Sequence, residues 1–263
     1  MSQLLFFDSG VGGLSVWREV QQLLPGLSSI YCMDDEAFPY GELAEPVLVR
    51  RVLGAFEALT ARHDIELAVV ACNSASTLVL PALREHFDFP IVGVVPAIKP
   101  AAGLSRTGHI GLLATPGTVR RPYTRQLIAE FAPHCQVSLI GSSELVTQAE
   151  RKLRGQGVQM AKLEEVLRPW LDSGPDVVVL GCTHFPLLRE EIGQILGSRV
   201  QLVDSGTAIA NRVRALVGDI EGEGGMAALY HSNKESQGLD ALKGRYFPGA
   251  ALRHLPLAMD QLS

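Results

Sequence analysis

Ala68-Val69-Val70-Ala71-Cys72-Asn73-Ser74 and Val178-Val179-Leu180-Gly181-Cys182-Thr183-His184 share one plan, 110 positions apart. Each is a continuous apolar run, then a small residue, a cysteine and a residue suited to capping a helix. Helical periodicity resumes after both, over 75–86 and 186–196. Continuous Val/Leu runs of this kind read as strands buried on both faces, as in parallel sheets. Leu4-Leu5-Phe6-Phe7 and Ile110-Gly111-Leu112-Leu113 open similar units, 106 positions apart. The chain therefore reads as two similar α/β halves facing each other across a cleft.

The remaining pattern agrees. Strands are expected at 4–8, 29–34, 66–72, 91–95, 109–115, 136–141, 176–182 and 200–205. Helices are expected at 14–24, 46–62, 75–86, 118–131, 143–154, 158–172, 186–196 and 207–217. In 46–62, Val49, Val52, Leu53, Phe56 and Leu59 would share one face. The fold class expected is α/β: two pseudo-symmetric doubly wound domains with mainly parallel sheets and the active site in the cleft between them. The tail from about Gly206 to Ser263 holds one short strand candidate, Ala228–Tyr230, and should return to the first half. Expected domains are thus 1–95 with 207–263, and 96–206, joined by a short crossover near Pro96–Pro100. The glycine-rich stretch Gly222 to Gly225 reads as a loop.

Composition narrows the function. With 47% hydrophobic and 19% charged residues in 263, the chain can bury sizeable cores. A net charge of −5 and the lack of a basic stripe argue against nucleic acid. Asp8 interrupts any signal-peptide core, and no apolar run approaches the ~18 residues of a membrane span. The four cysteines form no C-x-x-C pair. Free thiols in a reducing cytoplasm are the expectation.

Open α/β sheets bind ligands at the carboxyl ends of their strands. Four such ends are unusual here: Asp8-Ser9-Gly10 with Gly12-Gly13, Cys72-Asn73-Ser74, Cys182-Thr183-His184, and Asp204-Ser205-Gly206. A helix beginning after a cysteine presents free N–H groups and a positive dipole end, which favour a thiolate and can hold a carboxylate. Two thiols at matched places suit inversion of a stereocentre, because one removes a proton from one face while the other returns a proton to the opposite face. A lone cysteine ending a buried strand is usually an inert core residue, and Cys32 and Cys135 are read so. The matched pair Cys72 and Cys182 reverses that preference. Cys182-x-His184 is a weak zinc pattern without a second ligand pair. Gly10-x-Gly12-Gly13 lacks dinucleotide-loop spacing.

Five segments together resemble the glutamate racemases of the aspartate/glutamate racemase family: Phe7-Asp8-Ser9-Gly10-Val11-Gly12-Gly13-Leu14-Ser15, Pro39-Tyr40-Gly41, Ala71-Cys72-Asn73-Ser74-Ala75-Ser76, Gly181-Cys182-Thr183-His184-Phe185-Pro186-Leu187-Leu188, and Asp204-Ser205-Gly206. They span almost the whole chain in the family's order. The resemblance implies two pseudo-symmetric α/β domains with glutamate held between them, and D-glutamate supply for peptidoglycan without pyridoxal phosphate or metal. It implies that Cys72 acts on D-glutamate and Cys182 on L-glutamate. Asp8, Ser9, Tyr40, Gly41, Asn73, Ser74, Thr183 and His184 match its substrate-contacting positions. Asp8 has two candidate roles, holding the substrate ammonium or ordering the nearby thiol. His184 has three: assisting Cys182, hydrogen-bonding to it, or capping.

The chain departs from the family pattern in two places. Ser74 stands where threonine is usual, and Ser143 to Glu150 matches imperfectly, with Glu150 aligning with the family's acidic residue. Members regulated by a cell-wall precursor carry a long N-terminal extension, which this sequence lacks, so such activation is not expected. Aspartate or hydantoin racemases are the nearest rivals, and a non-catalytic amino-acid sensor is the rival from another class. His184 and the Pro39-Tyr40-Gly41 loop favour glutamate. The sequence leaves room for a homodimer and shows no interface.

Overall fold

The structure, a computed structural model, describes residues 3–172, 174–220, 222–234 and 238–257. The chain runs β1 (Gln3–Asp8), α1 (Leu14–Leu23), β2 (Ser28–Met33), α2 (Glu45–Thr60), β3 (Ile65–Val70), α3 (Asn73–His86), β4 (Ile91–Gly93) and α4 (Ile98–Leu104). It continues with β5 (His109–Ala114), α5 (Pro116–Arg120), α6 (Pro122–Phe131), β6 (Gln136–Gly141), α7 (Glu144–Leu153), α8 (Met160–Leu167), β7 (Val177–Leu180), α9 (Arg189–Leu196) and β8 (Gln201–Val203). The last elements are α10 (Gly206–Val217), β9 (Gly225–His231), α11 (Leu239–Tyr246) and β10 (Ala251–His254).

Two compact units result. Met1–Val94 and Gly206–Ser263 form the first, and Val95–Ser205 the second. The first unit's sheet has the order β10-β9-β2-β1-β3-β4, and the second's β6-β5-β7-β8. Every ladder is parallel. Set side by side, β2-β1-β3-β4 and β6-β5-β7-β8 are the same order, second-first-third-fourth strand of each unit. Cys72 follows the third strand of one and Cys182 the third strand of the other.

Burial explains the strands. Leu4, Leu5, Phe6 and Phe7 are at most 1% exposed, because helices cover both faces of β1. Each such side chain contributes roughly 1.5–3 kcal/mol. The helices follow their apolar stripes with one adjustment. On α2 the buried residues are Leu48, Arg51, Val52, Ala55, Phe56 and Leu59, while Val49 and Leu53 are only partly buried. The stripe is thus rotated towards Arg51, a cation that apolar periodicity could not place inside.

Prolines moved several boundaries. Instead of a bare crossover near Pro96–Pro100, the chain forms α4, in which Pro100 falls in the first turn where its missing N–H costs nothing. The helix expected over 118–131 breaks before Pro122, where Arg121 is extended (φ −68°, ψ 142°) as residues preceding proline tend to be. Pro169 and Pro186 likewise sit in 3-10 turns, Arg168–Trp170 and Phe185–Leu188. In the tail, β9 is longer than expected and β10, a half-exposed polar strand, was not expected.

Candidate active site

In the first unit, β1 ends at Asp8 and the chain leaves the sheet through the glycine loop into α1. The Asp8 carboxylate is wholly buried. Its Oδ1 accepts from the Ser9 backbone N–H (2.7 Å) and its Oδ2 from that of Gly13 (2.5 Å), so the anion holds its own loop at the N-terminus of α1. Gly13 is required by close approach. A Cβ there would lie 2.7 Å from Tyr31 Oη and 2.9 Å from the Ala71 Cβ and carbonyl oxygen.

β3 is the neighbour of β1, and the Ala71 N–H donates to Phe7 O at 2.7 Å. That pairing sets Cys72 beside the glycine loop. Cys72 Sγ is 4.0 Å from Ser9 Oγ, which donates in turn to Asp8 Oδ1 at 3.4 Å. Cys72 has extended geometry and is itself the capping residue of α3, its carbonyl accepting from the Ser76 N–H (2.9 Å). Asn73, expected as the cap, is instead the first helical residue, and its amide donates to Val94 O at 3.5 Å. Asn73 and Ser74 are buried in the first turn of this 14-residue helix. The 3-10 turn Tyr40–Glu42 packs against α3, bringing Tyr40 and Gly41 to the same end of the sheet. The Tyr40 hydroxyl donates to Asp34 Oδ2 at 2.6 Å. Burial and the neighbouring Asp34 carboxylate push its pKa well above the ordinary tyrosine value.

In the second unit, Gly181 N–H donates to Leu113 O (2.7 Å), closing β7 on β5 and placing Cys182 at the strand end. No α-helix begins here. Thr183 lies in a turn and His184 precedes the 3-10 turn Phe185–Leu188, with α9 starting only at Arg189. The helix end expected at Cys182 is therefore replaced by a side-chain pair. His184 Nδ1 is 3.9 Å from Cys182 Sγ, and His184 Nε2 is 2.9 Å from Glu150 Oε1 on α7. His184 and Glu150 are both buried. Burial alone would lower the His184 pKa, but its contacts with Cys182 and Glu150 outweigh this and raise it well above the ordinary value. The imidazolium is thereby favoured.

The two arrangements have a common logic. Each sulfur leads through one polar side chain to a buried carboxylate: Cys72–Ser9–Asp8 and Cys182–His184–Glu150. Only the second intermediary can carry a charge. The fourth strand end has other duties, since Asp204 pairs with Arg189 and Ser205 Oγ donates to Val95 O at 2.5 Å. Cys32 is a buried thiol whose pKa is raised by burial, Asp34 and Asp35, as an inert core residue requires. Cys135 is only partly buried, at the margin of the second unit's core. Sequence reasoning passed over Asp34 and Arg51. Asp34 follows β2 as Cys72 follows β3, within the expected strand 29–34, and that position was the available signal.

Among the described residues, no group of His, Cys, Asp or Glu side chains is arranged to hold a metal ion. No helix among them is long and apolar enough to cross a membrane.

The class of protein follows from a family match: the chain belongs to the Asp/Glu/Hydantoin racemase family, a family of isomerases, whose model matches residues 12–213. Its relatives are narrower in name. The glutamate racemase of Pectobacterium atrosepticum is 56% identical over 220 residues, covering 83% of this chain and 77% of that one. One from Escherichia coli O139:H28 is 58% identical over 216 residues, covering 81% and 76%. The crystal structure of E. coli glutamate racemase in complex with L-glutamate and the activator UDP-MurNAc-Ala superposes with a TM-score of 0.90. It is 48% identical to this chain and covers 98% of it and 100% of its own.

Proposed function

We propose that this chain interconverts L- and D-glutamate by passing a proton between Cys72 and Cys182, without a cofactor, and so supplies D-glutamate for peptidoglycan. The observation that carries this reading is the pair of thiols after equivalent strands, each leading through a polar side chain to a carboxylate. The names of the relatives supply the substrate.

In this reading one thiolate takes the Cα proton, and the electron pair moves into the α-carboxylate. The thiol on the opposite face then delivers its proton to Cα. For the other enantiomer the roles reverse. The developing charge is met by backbone N–H groups in the first turn of α3 and by hydroxyls of Ser9, Ser74 and Thr183. Tyr40, Gly41 and Asn73 complete the substrate contacts. Asp8 orders the loop that carries Ser9 beside Cys72, and His184, charged and braced by Glu150, assists Cys182. The deciding experiment is a circular-dichroism racemisation assay on both enantiomers of glutamate and of aspartate. Turnover of glutamate is expected, and preference for aspartate would overturn the assignment.

A further inference from the structure

A buried ion pair in the first unit takes no part in the proton transfer. Asp34 is wholly buried, and four donors meet its carboxylate. Tyr40 Oη (2.6 Å) and Arg51 Nε (2.6 Å) donate to Oδ2, while Arg51 Nη2 (2.7 Å) and Ser232 Oγ (2.6 Å) donate to Oδ1. Arg51 comes from α2, Tyr40 from the 3-10 turn and Ser232 from the end of β9. Three separate elements thus meet on one side chain, and Ser232 reaches it from 198 positions away. Ser232 also accepts from the Glu36 N–H (2.9 Å), and Asp35 Oδ1 accepts from the N–H groups of Ser232 (2.9 Å) and Asn233 (3.0 Å). The Asp34 N–H donates to Asp8 O at 3.0 Å.

A buried ion pair is a poor source of stability compared with apolar residues of the same volume, but it fixes geometry tightly. The Tyr40 hydroxyl is committed to Asp34 as a donor, so only its lone pairs are left to meet a substrate. We infer that Asp34, Arg51 and Ser232 are positioning residues that fasten the Tyr40–Gly41 turn, and that the C-terminal segment thereby sets substrate affinity from a distance. The inference rests on Tyr40 and Gly41 being substrate contacts.

Because enantiomers have equal free energies, kcat/KM must be the same in both directions, and a device that positions substrate shifts both KM values alike. Ser232→Ala, the mildest change, should raise KM for L- and D-glutamate together by ~10- to 150-fold, the size of one lost hydrogen bond to a charged group, while kcat moves less than ~3-fold. Amide hydrogen exchange over 38–43 should quicken in the same variant. Tyr40→Phe should act likewise, and the Tyr40→Phe/Ser232→Ala double variant should exceed the worse single by less than the product of the two. Unchanged exchange over 38–43 in folded Ser232→Ala protein overturns the fastening whatever the substrate proves to be. Faster exchange with an unchanged KM overturns its functional role. A wild-type chain inert towards glutamate would instead refute the substrate assignment, leaving the exchange result to judge the fastening.

Discussion

Glu150→Gln separates the two thiols without touching either. Glu150 Oε1 lies 2.9 Å from His184 Nε2, and both groups are buried. A buried charge-assisted hydrogen bond contributes roughly 1.5–3 kcal/mol, and the amide retains a neutral bond of about 0.5–1.5 kcal/mol. The difference, about 1–2 kcal/mol, is a factor of ~5–30 in rate if it is felt where Cys182 takes its proton. Racemisation alone cannot display the asymmetry, since kcat/KM falls equally in both directions. The assay is therefore elimination from glutamate analogues whose leaving group departs after proton abstraction, which needs only one base. The L analogue, deprotonated through Cys182, should slow by that factor, and the D analogue should change less than ~3-fold. Stability gives a second reading. The raised pKa of His184 means that its stabilising contribution is complete below the ordinary histidine value of 6.5 and fades as pH rises through the folded-state value. Glu150→Gln should therefore cost more stability at about pH 6 than at alkaline pH. Equal slowing of both analogues, or a stability loss that grows with pH, would refute the reasoning.

Gly13→Ala forces a Cβ to within 2.9 Å of the Ala71 carbonyl oxygen, a backbone atom that cannot swing away. It should lower stability by about 1–3 kcal/mol in urea titration and reduce kcat through displacement of Asp8, whereas Gly54→Ala, with open space around it, should do neither. Protein treated with chelator and free of pyridoxal absorbance should keep racemising glutamate. Activity lost and restored only by a metal or pyridoxal phosphate would contradict the two-thiol chemistry.

The sheets were legible because parallel strands buried on both faces must be continuous apolar runs, and 4–8, 109–115 and 176–182 are such runs. Cys72 and Cys182 were legible because they repeat in register. Other features depend on partners distant in sequence. Whether Asp34 sits in a buried network is decided by Arg51 and Ser232, 17 and 198 positions away, and periodicity does not see them. β10 is a short, half-exposed strand containing Arg253 and His254, so its pairing with β9 leaves no apolar signature. At Cys182 the sequence misled, because Thr183 caps well in principle while Pro186 diverts the chain into a 3-10 turn. His184 and Glu150 occupy the place of the missing helix end.

In the proposed reaction, two thiols work on opposite faces of one carbon. Cys72→Ser and Cys182→Ser test it most directly when each is offered L and D analogues that eliminate after proton abstraction, with Cys32→Ser as the control that keeps full racemisation. Both variants should lose racemisation. Cys72→Ser should still eliminate from the L analogue, through Cys182, and Cys182→Ser from the D analogue, through Cys72. Two variants that prefer the same enantiomer would contradict the account, whatever their residual rates.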